Sequence, residues 1–299
     1  MSTRELGPGA LCAAISEART VAAAGLLESL GDEPVGLSES VILARWLGSV
    51  SRHPALLPQG WYVPPPRGYS VLIGHAPEFE RTNFSSLRSR SKWADANEIL
   101  DGECLLLAYA SPVDRATAMI GDFMVTLYGG SEGHVREHVS RCLAVTAAIA
   151  ERVTVGMEFR DLYGEAMELM EAAGVRNDTQ STTDRTGALN IGHTVPWSDG
   201  QHDDRIWSAI RDGEETDIAN LISGARTFIT GAERTRVSPN VAFTVEPQLV
   251  SAGCPQVTFH VIVCICNGEK HVHAGFLRLF EKFDMVDYLP PNVVRQVGG

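Results

Sequence analysis

Neither a CxxC pair nor a GxGxxG or GxxxxGK[ST] stretch occurs anywhere in the 299 residues. Their absence removes the usual zinc-knuckle and thioredoxin-type motifs and the glycine-rich loops that hold nucleotide phosphates. Basic residues are scarce as well: 25 Lys and Arg stand against 37 Asp and Glu, a net charge of −12. Such a chain repels phosphate backbones and offers no basic stripe for counterion release, so no nucleic-acid partner is expected. No run is read as reaching the ~20 apolar residues of a membrane helix, and the opening MSTRELGPGALCAA lacks the basic-then-apolar order of a signal peptide. No membrane partner is therefore expected, and the localisation expected is cytoplasmic.

Hydrophobic residues make up 44 % and charged residues 21 %, enough apolar surface for one large core or two fused halves and too much for an extended disordered chain. The cysteines Cys12, Cys104, Cys142, Cys254, Cys264 and Cys266 read as reduced, buried thiols rather than disulfides or a zinc site.

CAAISEARTVAAAGLLESL, from Cys12 to Leu30, repeats apolar side chains at helical spacing and stops at Gly31. EPVGLSESVILARWLGSV then leads through Gly36 into a second helix. The plan recurs in HVREHVSRCLAVTAAIAER, which begins at His134, followed by a helix introduced by Gly156 and stopped by Gly174. Val35-Gly36-Leu37 and Val155-Gly156-Met157 stand 120 positions apart, which points to an internal duplication. Strand-like stretches follow each helix pair: YSVLIG, ECLLLAYA and DFMVTLYG after the first, VAFTVEPQLV and VTFHVIVCIC after the second. Helices cluster, then strands cluster. The expected class is α+β with antiparallel sheet rather than a doubly wound βαβ fold.

In sequence and order, GDFMVTLYGG, NIGHTVPW, VAFTVEPQLV and VTFHVIVCICNGE resemble the catalytic domain of the creatinase/methionine aminopeptidase/prolidase superfamily. The resemblance covers nearly the whole chain and is strongest at AFTVEP and at Gly192-His193. It implies the pita-bread fold, two pseudo-symmetric helix-plus-antiparallel-strand halves around a curved sheet. On that reading residues 1–299 form a single domain. Its halves run over about 10–133 and 134–299, and the chain lacks the extra N-terminal domain of prolidases and creatinases. An insertion over about 198–236, carrying Trp207 and an acidic run, reads as a lid, a dimer contact or a solvated segment.

The resemblance further implies five side chains around two divalent metals: two Asp, a His and two Glu. The second Asp falls on Asp122, the His on His193 and the first Glu on Glu246. The first Asp has no counterpart. Its place falls on Ala108 or Tyr109, with Asp114 a weak substitute, so the metal site is degenerate. The last Glu falls on Phe259 or His260. Strand side chains alternate faces, and this one-residue choice decides whether an imidazole enters the pocket. Where the superfamily keeps a catalytic His before the first Asp, this chain has Arg88 and Arg90, which could clamp a carboxylate. His202 stands near the second pocket His. Against these readings, His193 alone would be a loop histidine, Asp122 a turn residue after Gly121, and Arg88 and Arg90 a solvated basic turn.

The expected catalytic residues are thus His193, Glu246 and Asp122, and the expected metal ligands Asp122, His193, Glu246 and His260. Arg88, Arg90, Tyr109 and His202 are expected to bind substrate. The expected protein is a homodimeric, metal-dependent, hydrolase-like enzyme acting on a small C–N-bonded, amino-acid-like or amide substrate. It would serve specialised metabolism and use one divalent ion (Mn, Fe, Co or Zn). Ordinary peptidase activity is not expected. The alternatives are a metal-free creatinase-like hydrolase, a mononuclear non-haem iron oxygen-using enzyme, which needs His260 to face inward, and a non-catalytic peptide-binding protein.

Overall fold

Pro8 in the first turn and Gly31 just past the last, at φ +61°, delimit helix α1 (Pro8–Leu30). Its buried residues Leu11, Ile15, Ala18, Ala22, Leu26 and Leu30 recur at helical spacing. The computed structural model describes residues 6–63, 65–178, 189–198, 201–202, 204–212 and 215–297. By length and composition the 23 residues of α1 suffice to cross a membrane, which corrects the expectation that no such run exists. Half of its most apolar stretch is buried in the fold, and Arg19 sits in the core at 1 % exposure.

Helix α2 (Glu39–Val50) starts at Ser38, whose side chain accepts from Val41 N–H. It buries Ile42, Trp46 and Val50, and the Trp46 indole N–H donates to Ala22 O (2.8 Å), tying α2 to α1. Strand β1 (Tyr69–Gly74), the short helix α3 (Phe84–Arg88), β2 (Leu105–Ala110) and β3 (Phe123–Tyr128) complete the first half. The second half opens with α4 (Gly133–Arg152) and α5 (Phe159–Ala172), then β4 (Arg176–Asn177), β5 (Thr194–Ser198) and β6 (Gln201–His202). Next come α6 (Asp204–Asp212), α7 (Glu215–Ala225), β7 (Val241–Val245), β8 (Gln248–Val250), β9 (Val257–Thr258), β10 (Val261–Cys266), β11 (Glu269–His273), α8 (Leu277–Lys282) and α9 (Pro291–Val297).

The duplication is written in backbone hydrogen bonds. Gly36 N–H donates to Leu100 O (2.8 Å), Leu100 N–H to Leu37 O (2.8 Å) and Glu39 N–H to Glu98 O (3.0 Å). In the second half Gly156 N–H donates to Val237 O (2.8 Å), Val237 N–H to Met157 O (2.8 Å) and Phe159 N–H to Thr235 O (2.9 Å). Gly36 and Gly156 have φ of +92° and +90°, a conformation side chains disfavour, which is why glycine introduces both helices.

All the strand pairs are antiparallel: β1-β2-β3 in one sheet, β11-β10-β7-β5-β6 in a second, β4-β8-β9 in a third. The first two meet where His260 N–H donates to Met124 O (2.9 Å) and Val125 bridges Phe259. Strand alternation sorts the side chains. Phe123, Val125, Val241, Phe243, Val245, Phe259, Val261 and Val263 join the core of the helix pairs, while Met124, Ala242, Ile262 and Cys264 lie outside that cluster. Asp122, Thr244, Glu246 and His260 share the parity of this second set. Two runs expected to be continuous strands are broken, VAFTVEPQLV at Glu246-Pro247 and VTFHVIVCIC at Phe259-His260. Pro247 has no N–H for a ladder, and His260 N–H is given to Met124 of the first half. Both breaks fall at pocket residues.

All six cysteines are free; Cys254 and Cys266 are half-buried and the other four buried.

Candidate metal-binding site

His193 is set against Glu246 by a short antiparallel register. His193 N–H donates to Thr244 Oγ1 (2.9 Å), Thr244 N–H to His193 O (2.8 Å) and Glu246 N–H to Ile191 O (2.8 Å). The contact is so close that any Cβ on Gly192 would collide with the Thr244 carbonyl; glycine is required there for approach. The residues 227–229 lie along the other edge, with Ile229 N–H donating to Gly192 O (2.8 Å) and Thr194 N–H to Thr227 O (2.9 Å). This pairing delivers Arg226 and Phe228 to the pocket.

The His193 ring is oriented by its own strand. Nδ1 lies 3.0 Å from Thr194 O and therefore carries the proton, so the Nε2 lone pair faces inward. Nε2 is 3.5 Å from Asp122 Oδ2 and 3.7 Å from Glu246 Oε1. When both carboxyl groups are ionised three acceptors converge, an arrangement that a cation satisfies. A tetrahedral ion with ligand bonds of ~2.1 Å spaces its ligand atoms at roughly 3.4 Å, close to these separations. Asp122, His193 and Glu246 form the one group of potential ligands found among the described residues, with one atom from each within 4.8 Å of the others. A ligand histidine whose second nitrogen is held by a backbone carbonyl is the usual arrangement at metal centres. The residues fit a divalent ion.

Neighbouring groups hold this set in place. The Trp61 indole N–H donates to Asp122 Oδ1 (2.6 Å), leaving Oδ2 turned toward His193. Arg19 reaches from α1 to the backbone: Nε donates to Ala274 O (2.7 Å), and the other two nitrogens donate to the carbonyls of Asp122 and His260. Its guanidinium lies 5.2 Å from the ring centroids of both Phe123 and Phe276. Burial lowers the Arg19 pKa to about 9, with Asp122 acting against the shift, so it stays charged at neutral pH. Arg226 lies 4.4 Å from the Trp61 ring centroid and 5.0 Å from that of Phe228.

Burial dominates the titration of the site. It raises Asp122 to about 7, against the Trp61 hydrogen bond and the charges of Arg226 and Arg19. Glu246 rises to about 8, by burial first and the Asp122 charge second. His193 and His260 fall well below the ordinary histidine value, again by burial, with Arg226 adding to the first and Arg19 to the second. Both imidazoles are neutral and available as ligands.

His260 faces the pocket and Phe259 the core, where it packs on Phe276 and Phe280. The choice left open by the sequence follows from strand parity with Ile262 and Cys264. His260 Nδ1 lies 3.2 Å from Glu246 Oε2, so it stands at the carboxylate oxygen opposite the one facing His193. Tyr109 is buried in the pocket wall, edge-on to His260 at 6.2 Å and to Tyr62 at 6.0 Å. Asp114 is a turn residue: its carboxylate accepts from the N–H groups of Ala116 and Thr117 and from the Thr117 hydroxyl. Arg88 ends α3 and Arg90 is exposed; neither lines the pocket, and the arginine that does is Arg226. His202 pairs with Trp197 through its backbone, while its side chain and that of Trp207 lie outside the described residues.

The pocket is lined by Asp122, His193, Glu246 and His260 together with the aromatic residues Trp61, Tyr62, Phe84, Tyr109 and Phe228, and by Asn190, Arg226 and Gln248. It measures about 400 Å³ with its mouth. Sequence reasoning missed Arg19, Trp61, Asn190, Arg226 and Phe228; Asn190 opens the NIGHTVPW stretch but was not singled out, and the other four stand in no recognisable motif and arrive through tertiary packing.

Two alike helix-plus-sheet halves closing on a buried His-carboxylate cluster define a metallopeptidase-type scaffold. The sequence profile of Metallopeptidase family M24 matches residues 74–265, and the chain belongs to that family. Similar solved structures include an X-Pro aminopeptidase from Thermotoga maritima (14 % identity, TM-score 0.59, 87 % of this chain and 60 % of that one). An Xaa-Pro dipeptidase from Bacillus anthracis (12 %, 0.61, 90 % and 61 %) and a prolidase from Pyrococcus furiosus (15 %, 0.57, 91 % and 64 %) are also similar. At these identities the likeness establishes the pita-bread fold, and the chain spans 60–64 % of the length of these three. No curated protein matches.

Proposed function

We propose that this protein is an enzyme with an altered M24 site, using one divalent ion to act on a C–N bond of a small amino-acid-like or amide substrate. The observation that carries the reading is the His193 ring, fixed by Thr194 O, with its free Nε2 facing Asp122 Oδ2 and Glu246 Oε1 at 3.5 and 3.7 Å. Asp122, His193 and Glu246 would hold the ion. When bound, the ion supplies Lewis acidity toward a carbonyl oxygen and acidifies water. Trp61 keeps Asp122 turned inward. Glu246 is the proton carrier: its Oε1 faces the ion site, and its Oε2 faces His260 Nδ1 at 3.2 Å. Arg226, stacked on Trp61, supplies the positive charge on the substrate side.

Tyr109 supports the altered character of the site. It occupies β2 where a second ion would need a carboxylate, and a phenol whose pKa is raised well above its ordinary value by burial is a poor ligand. The solved neighbours named as proline-peptide hydrolases support C–N bond chemistry, and the missing carboxylate points toward a specialised substrate. The test is titration of metal-stripped protein with Mn²⁺, Co²⁺ and Zn²⁺ by calorimetry. One site per chain, lost in His193→Ala, is expected. Uptake of two ions, or of none by the wild type, overturns the reading, and none would favour metal-free hydrolysis by the two carboxyl groups.

A further inference from the structure

The side chain of Asn190 is 1 % exposed, lines the pocket, and neither its Oδ1 nor its Nδ2 has a hydrogen-bond partner among the described residues. Its backbone is fixed. The Asn177 amide donates to Asn190 O (2.7 Å), while Asn177 Oδ1 accepts from Gln248 N–H (3.1 Å), so Asn190 is anchored to the strand layer that follows Glu246. A buried carboxamide with both ends unsatisfied is costly, and such groups are held for a ligand or a function.

From this we propose that Asn190 is a recognition residue for a cis secondary amide, and that the pocket takes a small flat ring bearing one: a lactam, a cyclic imide or a diketopiperazine. A carboxamide presents a donor and an acceptor side by side in one plane. The group that satisfies both at once presents N–H and C=O on the same edge, which a cis amide does. Within a single trans amide these two groups point in opposite directions, so an open-chain ligand with one amide could pair only one of them with Asn190. Trp61, Tyr62, Phe84, Tyr109 and Phe228 line the pocket, and aromatic faces stack on planar amide rings. His193 and Glu246 line the same pocket, so the ring's carbonyl and nitrogen would lie beside the group proposed to act on a C–N bond. The inference rests on the proposed function only for what happens to the ligand, and not for its binding.

The experiment is ligand-observed NMR on the full chain, with and without Zn²⁺, using three probes: 2,5-piperazinedione, its N,N′-dimethyl derivative, and N-methylbutanamide, an open chain with one trans amide. Piperazinedione should bind at least about tenfold tighter than either of the others, the factor expected of one or two lost hydrogen bonds at a buried carboxamide. In Asn190→Leu that preference should vanish, with the melting temperature unchanged or raised and Zn²⁺ uptake within about threefold of wild type. Equal binding of the open-chain probe, failure of piperazinedione to bind wild type, or an Asn190→Leu protein that keeps the preference would overturn the proposal. Should Asn190→Leu not fold, the comparison of the three probes on wild type decides alone. Absent Zn²⁺ uptake with intact piperazinedione selectivity would sink the metal reading and leave this one standing.

Discussion

The two halves of the molecule agree in their backbones and differ in their chemistry. Residues 36, 37 and 39 bond to 98 and 100 as residues 156, 157 and 159 bond to 235 and 237. Counting nine residues on from Leu100 and from Val237 gives Tyr109 in one half and Glu246 in the other. Likewise Asp122 directly precedes β3 and His260 directly precedes β10. Glu246 therefore faces a phenol across the approximate two-fold relation, and a carboxylate faces an imidazole. Backbone hydrogen bonds constrain both halves alike, while the side chains at these positions are free to diverge. The result is one His-carboxylate cluster among the described residues.

The largest effect is expected where the halves are held together. Arg19 donates to carbonyls of both pocket strands, Asp122 and His260, and to Ala274. Arg19→Met leaves three buried acceptors unpaired and should cost about 3 kcal/mol or more in urea unfolding. A loss under about 1 kcal/mol would show that the halves do not depend on this link. Next in size, His193→Ala should weaken Co²⁺ affinity by about 100-fold, roughly 2.7 kcal/mol, with little change in the stability of the metal-free protein. Retained affinity would remove His193 from the ligand set.

The pH dependence of the metal-free protein follows from the same pair of carboxylates. Asp122 near 7 and Glu246 near 8 lie above their unfolded values of about 4. Groups with raised folded pKa values stabilise at low pH and lose that contribution as pH rises through the folded values. His193 and His260, shifted down, act in the opposite sense below about pH 6.5, where the unfolded chain takes up their protons. The clear window is therefore above pH 6.5. Stability should fall by on the order of 2 kcal/mol between pH 6.5 and 8.5, and a bound divalent ion should cancel the fall. A flat thermal-melt profile in metal-free protein would contradict this.

The repeat itself is sharpened by a paired substitution. Gly36 and Gly156 have the same positive φ and no atom within 4 Å of a built Cβ. Gly36→Ala and Gly156→Ala should each cost about 1–2 kcal/mol from backbone strain alone, and clearly unequal losses would break the equivalence. The smallest effect is expected at the divergent position. Tyr109→Phe removes only a hydroxyl that is not a ligand in this reading, so divalent affinity should stay within about threefold; a tenfold loss would make Tyr109 part of the metal site.

Much of this was legible along the chain. Helix spacing, the glycines at 31, 36, 156 and 174, and the two strand clusters predict the elements and their repetition, because helix and strand periodicity are local properties. GH at 192–193, the Glu of AFTVEP and Asp122 mark, through resemblance, three residues that the fold brings into one cluster. Other features lay beyond local pattern. The breaks at Glu246-Pro247 and Phe259-His260, the inward turn of His260 and the core position of Phe259 depend on which strand receives a given N–H.

What the sequence by itself determined is the set of elements, their duplication and the residue types that converge. The tertiary structure alone decided the environment of those residues. Trp61 and Arg226 come to His193 from 132 and 33 positions away, through loops and a helical segment. Arg19 reaches Asp122 and His260 across 103 and 241 positions. Burial, hydrogen-bond direction and shifted pKa values arise only from such non-local packing, and these are the properties that separate a cation site from three polar residues in a list.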